Sequence, residues 1–117
     1  EQEGYAATRA LLAEQGVSAV VVTDAALRVG CLRALHEQRV AVPGDCSVVG
    51  IDDCMPVPED GGITAVVQPT GEMAAAAVET LLHLLNGEPP TSHRCLLTPH
   101  LVPGASTGPA ASVTWRL

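Results

Sequence analysis

Two short β-branched runs, Ser18 to Thr23 (Ser-Ala-Val-Val-Val-Thr) and Ser47 to Ile51 (Ser-Val-Val-Gly-Ile), flank one amphipathic segment, and they restrict the fold more than any other feature. Apolar β-branched runs bounded by turn residues mark buried strands. Between them, apolar residues recur at Leu27, Cys31, Ala34 and Leu35, the spacing of a helix that buries one face, with Asp24 placed to cap its start. Strand, helix and strand in this order form a right-handed βαβ unit, which makes the two strands parallel neighbours. Both strands then finish at one edge of the sheet, where open α/β sheets hold ligands. The residues delivered there are Thr23 and Asp24 from the first strand and Asp52 and Asp53 from the second.

The rest of the chain extends this unit on both sides. Tyr5, Thr8, Leu11 and Leu12 have helical spacing between Gly4 and Gln15, and Gly16 is placed to end that helix. Gly30 lies beside the apolar face of the second helix, where a missing side chain lets another backbone approach. Val42-Pro43-Gly44-Asp45 is turn chemistry, and Cys54 to Gly62 reads as a surface loop. Ile63 to Val67 predicts a third strand. A helix opening at Thr70 or Gly71 comes next, with apolar positions at Ala74, Ala77, Val78, Leu81, Leu82 and Leu85 and a stop at Asn86-Gly87. Arg94 to Thr98 and His100 to Val102 predict two short strands separated by Pro99. From Gly104 onward the Gly/Ala/Ser-rich composition predicts a frayed end, with 110–117 a flexible tail that Trp115 could anchor.

Composition narrows the function classes. The 117 residues are 47% hydrophobic, within the range of one globular domain, and charged or polar residues interrupt every apolar run before the roughly 20 residues of a membrane span. The opening Glu-Gln-Glu carries no basic, apolar leader, so the sequence reads as a piece of a longer, cytoplasmic protein. A net charge of -7, with no lysine and six scattered arginines, opposes phosphate binding, so this segment alone is not expected to hold DNA. Cys31, Cys46, Cys54 and Cys95 form no C-x-x-C pair and stand at no zinc spacing with histidine, which makes them small apolar fillers and predicts no metal and no cofactor. No G-x-S-x-G, P-loop or H-E-x-x-H is present, and His36, His83, His93 and His100 are scattered, so no catalytic residue is assigned and the chain is read as a non-enzyme.

Four segments, in order, resemble the LacI/GalR family of bacterial transcriptional regulators and its periplasmic sugar-binding relatives. Thr23-Asp24-Ala25-Ala26-Leu27-Arg28-Val29-Gly30 resembles the family's Asn-Asp-x-x-Ala-x-Gly. Val42 to Asp53 is similar to its V-P-x-D-x-S-V-V-G-[FY]-D-D stretch, the most specific of the four. Thr64 to Pro69, with Glu72-Met73 and Asn86-Gly87-Glu88, resembles the family's next segment, and Leu101-Val102 to Ser106-Thr107 resembles the closing L-V-x-R-x-S-T without its arginine. Coverage reaches about Pro109. The resemblance implies an α/β, parallel-sheet, periplasmic binding protein-like I fold, mainly the C-terminal lobe with its crossover segments. By that analogy residues 1–109 are a partial effector-binding domain. Residues to about 68 and 99–109 fall in the C-terminal lobe, and about 70–98 in the N-terminal lobe.

It further implies a repressor whose small polar effector, a sugar or related metabolite, modulates operator binding by a headpiece outside this chain. The alternative of the same fold is a periplasmic sugar-binding protein of a transporter. A strand-end carboxylate accepts two hydroxyl hydrogens at once, so Asp52 is the foremost ligand candidate, against an Asx-turn role; Asp53 is read first as a turn or cap. Thr23 stands where the family places asparagine and offers one hydroxyl proton. Gln68 matches a crossover position that contacts effector, and Asp24 is a contact or simply the helix cap. The family's equivalent helix lies in a homodimer interface, which nominates Leu27, Arg28, Cys31, Leu32 and Leu35, unless that face only covers the sheet.

Overall fold

The computed structural model describes residues 1–14, 16–51, 62–88 and 94–110. Its elements are α1 (Gln2–Ala13), β1 (Ala19–Val22), α2 (Ala25–Glu37), β2 (Ser47–Ile51), β3 (Thr64–Val67), α3 (Thr70–Leu85) and β4 (His100–Val102). The strands form one sheet in the order β1-β2-β3-β4. β1 and β2 are parallel, with Ala19 beside Ser47 and Val22 beside Gly50, and β3 is parallel to β2, with Gly50 beside Ala65. β4 returns antiparallel, His100 facing Val67. The expected βαβ unit is thus present, and β1, β2 and β3 all finish at one edge.

The helix ends follow from their capping chemistry. Asp24 Oδ1 accepts from Ala26 N at 2.7 Å and Leu27 N at 3.2 Å, satisfying two first-turn donors of α2. At the other end Val40 N donates to Leu35 O and Arg39 N to His36 O, a Schellman motif with Arg39 in the left-handed region at φ 57 and Val40 against the core. Glycine usually takes that place. α3 stops in the same way at Asn86-Gly87, as expected, with Gly87 at φ 78, Gly87 N donating to Leu84 O and Glu88 N to His83 O. Gly16 does not cap α1. That helix ends at Ala13 with Glu14 extended, and Gly16, at φ 102, turns the chain into β1.

The core is Val20 and Val22 of β1, Val48 of β2, Cys31 and Leu35 of α2, and Cys46. Cys31 and Leu35 are each 1% exposed, so the expected availability of these two to a partner subunit is corrected: they fill this chain's own core. Leu27 and Leu32 pack half-buried against the same cluster. α1 lies across α2 at a glycine pair, Gly30 against the backbone of Glu1 and Tyr5 and Gly4 against that of Leu27. Beside this crossing, Tyr5 donates its hydroxyl to Glu37, and the Arg33 guanidinium stands over the Tyr5 ring while its Nε bonds Glu37 at 2.9 Å. The Tyr5 hydroxyl and then Arg33 hold the Glu37 carboxyl below the usual carboxylate range.

Two further expectations are corrected. Arg94 to Thr98 is not a strand: the segment joins no ladder among the described residues, and Leu96 is 76% exposed. The chain from Gly104 to Gly108 is not frayed, because Ser106 is buried and bonded to Val48 and Thr64. α3 packs against none of the other helices and strands and buries no residue, leaving Val78, Leu81, Leu82 and Leu85 exposed.

Candidate functional site

The carboxyl edge of the three parallel strands brings Thr23 and Gln68 onto one rim. Thr23 directly follows β1 and is exposed; Gln68 directly follows β3 and is half-buried. Asp24 stands beside Thr23 and also faces solvent, with Oδ1 committed to the α2 amides. β2 ends at Ile51 on the same edge, and Asp52 and Asp53 lie outside the described residues. The parallel pairing on which the candidate edge depends is therefore observed.

Next to Gln68 the edge opens into a cavity of about 360 Å³, lined by Ile51, Val66, Gln68, Pro69, Met73, Cys95, Leu96, Leu97 and Pro99. Gln68 is the one amide among these walls, and the other side chains are aliphatic or sulfur-bearing. Such a surface accepts the C–H face of a small ligand while the amide both donates and accepts. The resemblance nominated Gln68, which lies at this cavity, but sequence reasoning missed the apolar wall beside it. Its signal was the pairing of apolar residues with proline on two segments, Val67 to Pro69 and Leu96 to Pro99.

The cysteines and charges divide as their surroundings dictate. Cys31 and Cys46 are free thiols, each 1% exposed, and burial, with Cys31 next to it, pushes the Cys46 thiol up. Cys95 is free and exposed at the cavity. Only a thiolate alkylates readily. Iodoacetamide treatment of the native chain is therefore expected to modify Cys95 and spare Cys31 and Cys46, checked by peptide mass mapping; equal modification of the three would contradict the core assignment. Among the described residues no three His, Cys, Asp or Glu side chains gather where they could hold a metal ion, and no helix is long and apolar enough to cross a membrane.

Residues 1–107 match the family of the periplasmic binding protein-like domain. Among curated relatives, the HTH-type transcriptional regulator MalR of Streptomyces coelicolor is 35% identical over 109 residues, covering 92% of this chain and 32% of that protein. Two solved structures are similar in fold and sequence. The LacI family regulator of Arthrobacter sp. FB24, in complex with lactose, has a TM-score of 0.73 at 31% identity, covering 90% of this chain and 40% of the other. The LacI family regulator of Lactobacillus casei with bound sucrose has a TM-score of 0.71 at 30% identity, covering 91% and 40%. The chain thus spans about a third of the length of MalR and of the Streptomyces limosus regulator that it also matches. With the parallel edge, the antiparallel strand β4 and the matched residues in agreement, this chain belongs to the periplasmic binding protein-like domain family, as the C-terminal part of a LacI/GalR-type effector-binding domain.

Proposed function

We propose that the chain is the effector-sensing part of a cytoplasmic LacI-type repressor and not an enzyme, and that a small polar ligand, a sugar, binds at the carboxyl edge of the sheet. Residues to about 68 and from 99 form most of the C-terminal lobe. Residues of about 70–98 belong to the opposite lobe, a reading supported by the exposed apolar surface of α3. The single observation that carries the site is the shared rim of Thr23 and Gln68, beside the end of β2 and above an aliphatic cavity. The lactose and sucrose held by two relatives support a saccharide.

The mechanism is a population shift. Effector binds one arrangement of the lobes better than another, and the bias reaches a DNA-reading headpiece in the longer protein. Homodimerisation through the exposed side of α2, where Val29 is 50% exposed and Arg28 and Leu32 are half-buried, is part of this proposal. The periplasmic transporter alternative is not favoured, because MalR and the lactose- and sucrose-bound relatives are transcription regulators.

Asp52 remains the foremost ligand residue of this reading. In the complete regulator, Asp52→Ala is expected to weaken effector binding by more than about 1.5 kcal/mol, the lower end for a hydrogen bond to a charged group. Isothermal titration with the sugar that the wild type binds checks this, and unchanged affinity would take Asp52 out of the site.

A further inference from the structure

Resting on the effector reading, we infer that Pro69 is a positioning residue: through the tight turn that it centres, it presets the backbone of Gln68 and so the direction of the amide that meets the ligand. β3 ends at Val67 and α3 begins at Thr70, so Gln68 and Pro69 are the whole connection. Thr70 N donates to Gln68 O at 2.8 Å, and Pro69 lies at φ -77, ψ 65. A bond across one residue at those angles is an inverse γ-turn. Both flanks of the turn are anchored. Val67 faces His100 in the sheet, and Met73 N donates to Pro69 O at 2.9 Å in the first turn of α3.

Proline stiffens this turn at two residues. Its ring fixes its own φ near the value that the turn requires. Its Cδ also clashes with the residue before it whenever that residue turns helical, which confines Gln68 to extended backbone. The other side chains of the cavity are aliphatic or sulfur-bearing, so they pack beside the Gln68 amide without fixing it by strong hydrogen bonds. The direction of the amide therefore follows the backbone that carries it. A ligand that bonds this amide meets a group whose backbone freedom is already spent, which removes part of the ordering cost of binding. With glycine at position 69, that cost returns at the moment of binding.

The test is a double-mutant cycle in the complete regulator. Wild type, Gln68→Ala, Pro69→Gly and the double variant are titrated calorimetrically with a sugar that the wild type binds, taken from a panel of neutral mono- and disaccharides that includes lactose and sucrose. Pro69→Gly is expected to weaken binding about fivefold, and Gln68→Ala about tenfold. In the Gln68→Ala background, Pro69→Gly should change affinity by less than about twofold, because the group it positions is gone. Pro69→Ala, whose Cβ keeps part of the restriction, should fall between wild type and Pro69→Gly, and it carries the same cycle if the glycine variant does not fold. An equal loss in both backgrounds, or wild-type affinity of Pro69→Gly, overturns the positioning role and leaves the effector site standing. Wild-type affinity of Gln68→Ala removes Gln68 from the site and this inference with it. If no sugar of the panel binds, the saccharide reading and the inference are both overturned.

Discussion

Replacing Gly30 with alanine is expected to force α1 off α2 and to destabilise the chain by about 3 kcal/mol, the upper end for an overpacked site. A Cβ at Gly30 would lie 2.0 Å from Glu1 O and 2.6 Å from Tyr5 N. These are backbone atoms at the start of α1, which cannot rotate aside as the tip of a side chain would. Relief requires moving the whole helix, which also breaks the contacts of Tyr5 with Arg33 and Glu37. Gly4 meets the same crossing from the other helix, since its Cβ would lie 2.2 Å from Leu27 O. Gly4→Ala should therefore be similarly damaging, and the double variant should lose clearly less than the sum of the two, because one displacement relieves both clashes. Urea midpoints of the three variants decide the matter. Strictly additive losses, or a Gly30→Ala change within about 0.5 kcal/mol of wild type, would show that the helices do not cross there.

This crossing illustrates what the sequence could and could not disclose. Gly30 was legible as a point of close approach, because a glycine beside an apolar helix face has few other uses. Its partner was not, since a helix crossing belongs to a pair of surfaces and one pattern cannot say which backbone arrives. The βαβ unit was legible because β-branched runs and helical spacing are local signals. The C-terminus of α2 was hidden: its Schellman motif places Arg39, not glycine, at positive φ, and tertiary burial of Val40 outweighs that local preference. Arg94 to Thr98 shows the limit from the other side, since a strand-like run forms no strand without a neighbour to pair with.

The site divides in the same way. The place of Thr23 on the rim was legible because it directly follows a strand of the βαβ unit, whereas Gln68 was nominated by the family resemblance alone and reaches the same edge through the parallel pairing of β3 with β2. The nomination of Cys31 and Leu35 for a dimer surface failed because α2 has two apolar stripes. Only the packing of β1 and β2 decides that these two residues face inward. The Tyr5, Glu37 and Arg33 contacts bear on pH dependence as well. The Glu37 carboxyl is held low, so its stabilising contacts are present above the usual carboxylate range and are lost as pH falls through its lowered folded value.

Ser106→Ala is expected to destabilise the chain by about 2–3 kcal/mol, from lost hydrogen bonds and a buried donor left without its acceptor. Ser106 is 3% exposed; its Oγ accepts from Thr64 N at 2.8 Å and donates to Val48 O. Alanine removes both interactions in a place that water does not reach, while the backbone bond from Val48 N to Ser106 O at 2.9 Å remains. Thr107→Val should cost less, about 1 kcal/mol. It deprives Thr64 Oγ1 of one partner but leaves its bonds with Gly104 O at 3.1 Å and Gly104 N at 2.9 Å. All these groups meet at the starts of β2 and β3, the edge opposite Thr23 and Gln68. Under conditions where the variants remain folded, effector affinity should therefore match wild type while the urea midpoint drops. A Ser106→Ala protein of wild-type stability would refute the seam. A folded variant with weakened effector binding would show that the two edges of the sheet are coupled, and that residues 104–108 do more than close the sheet.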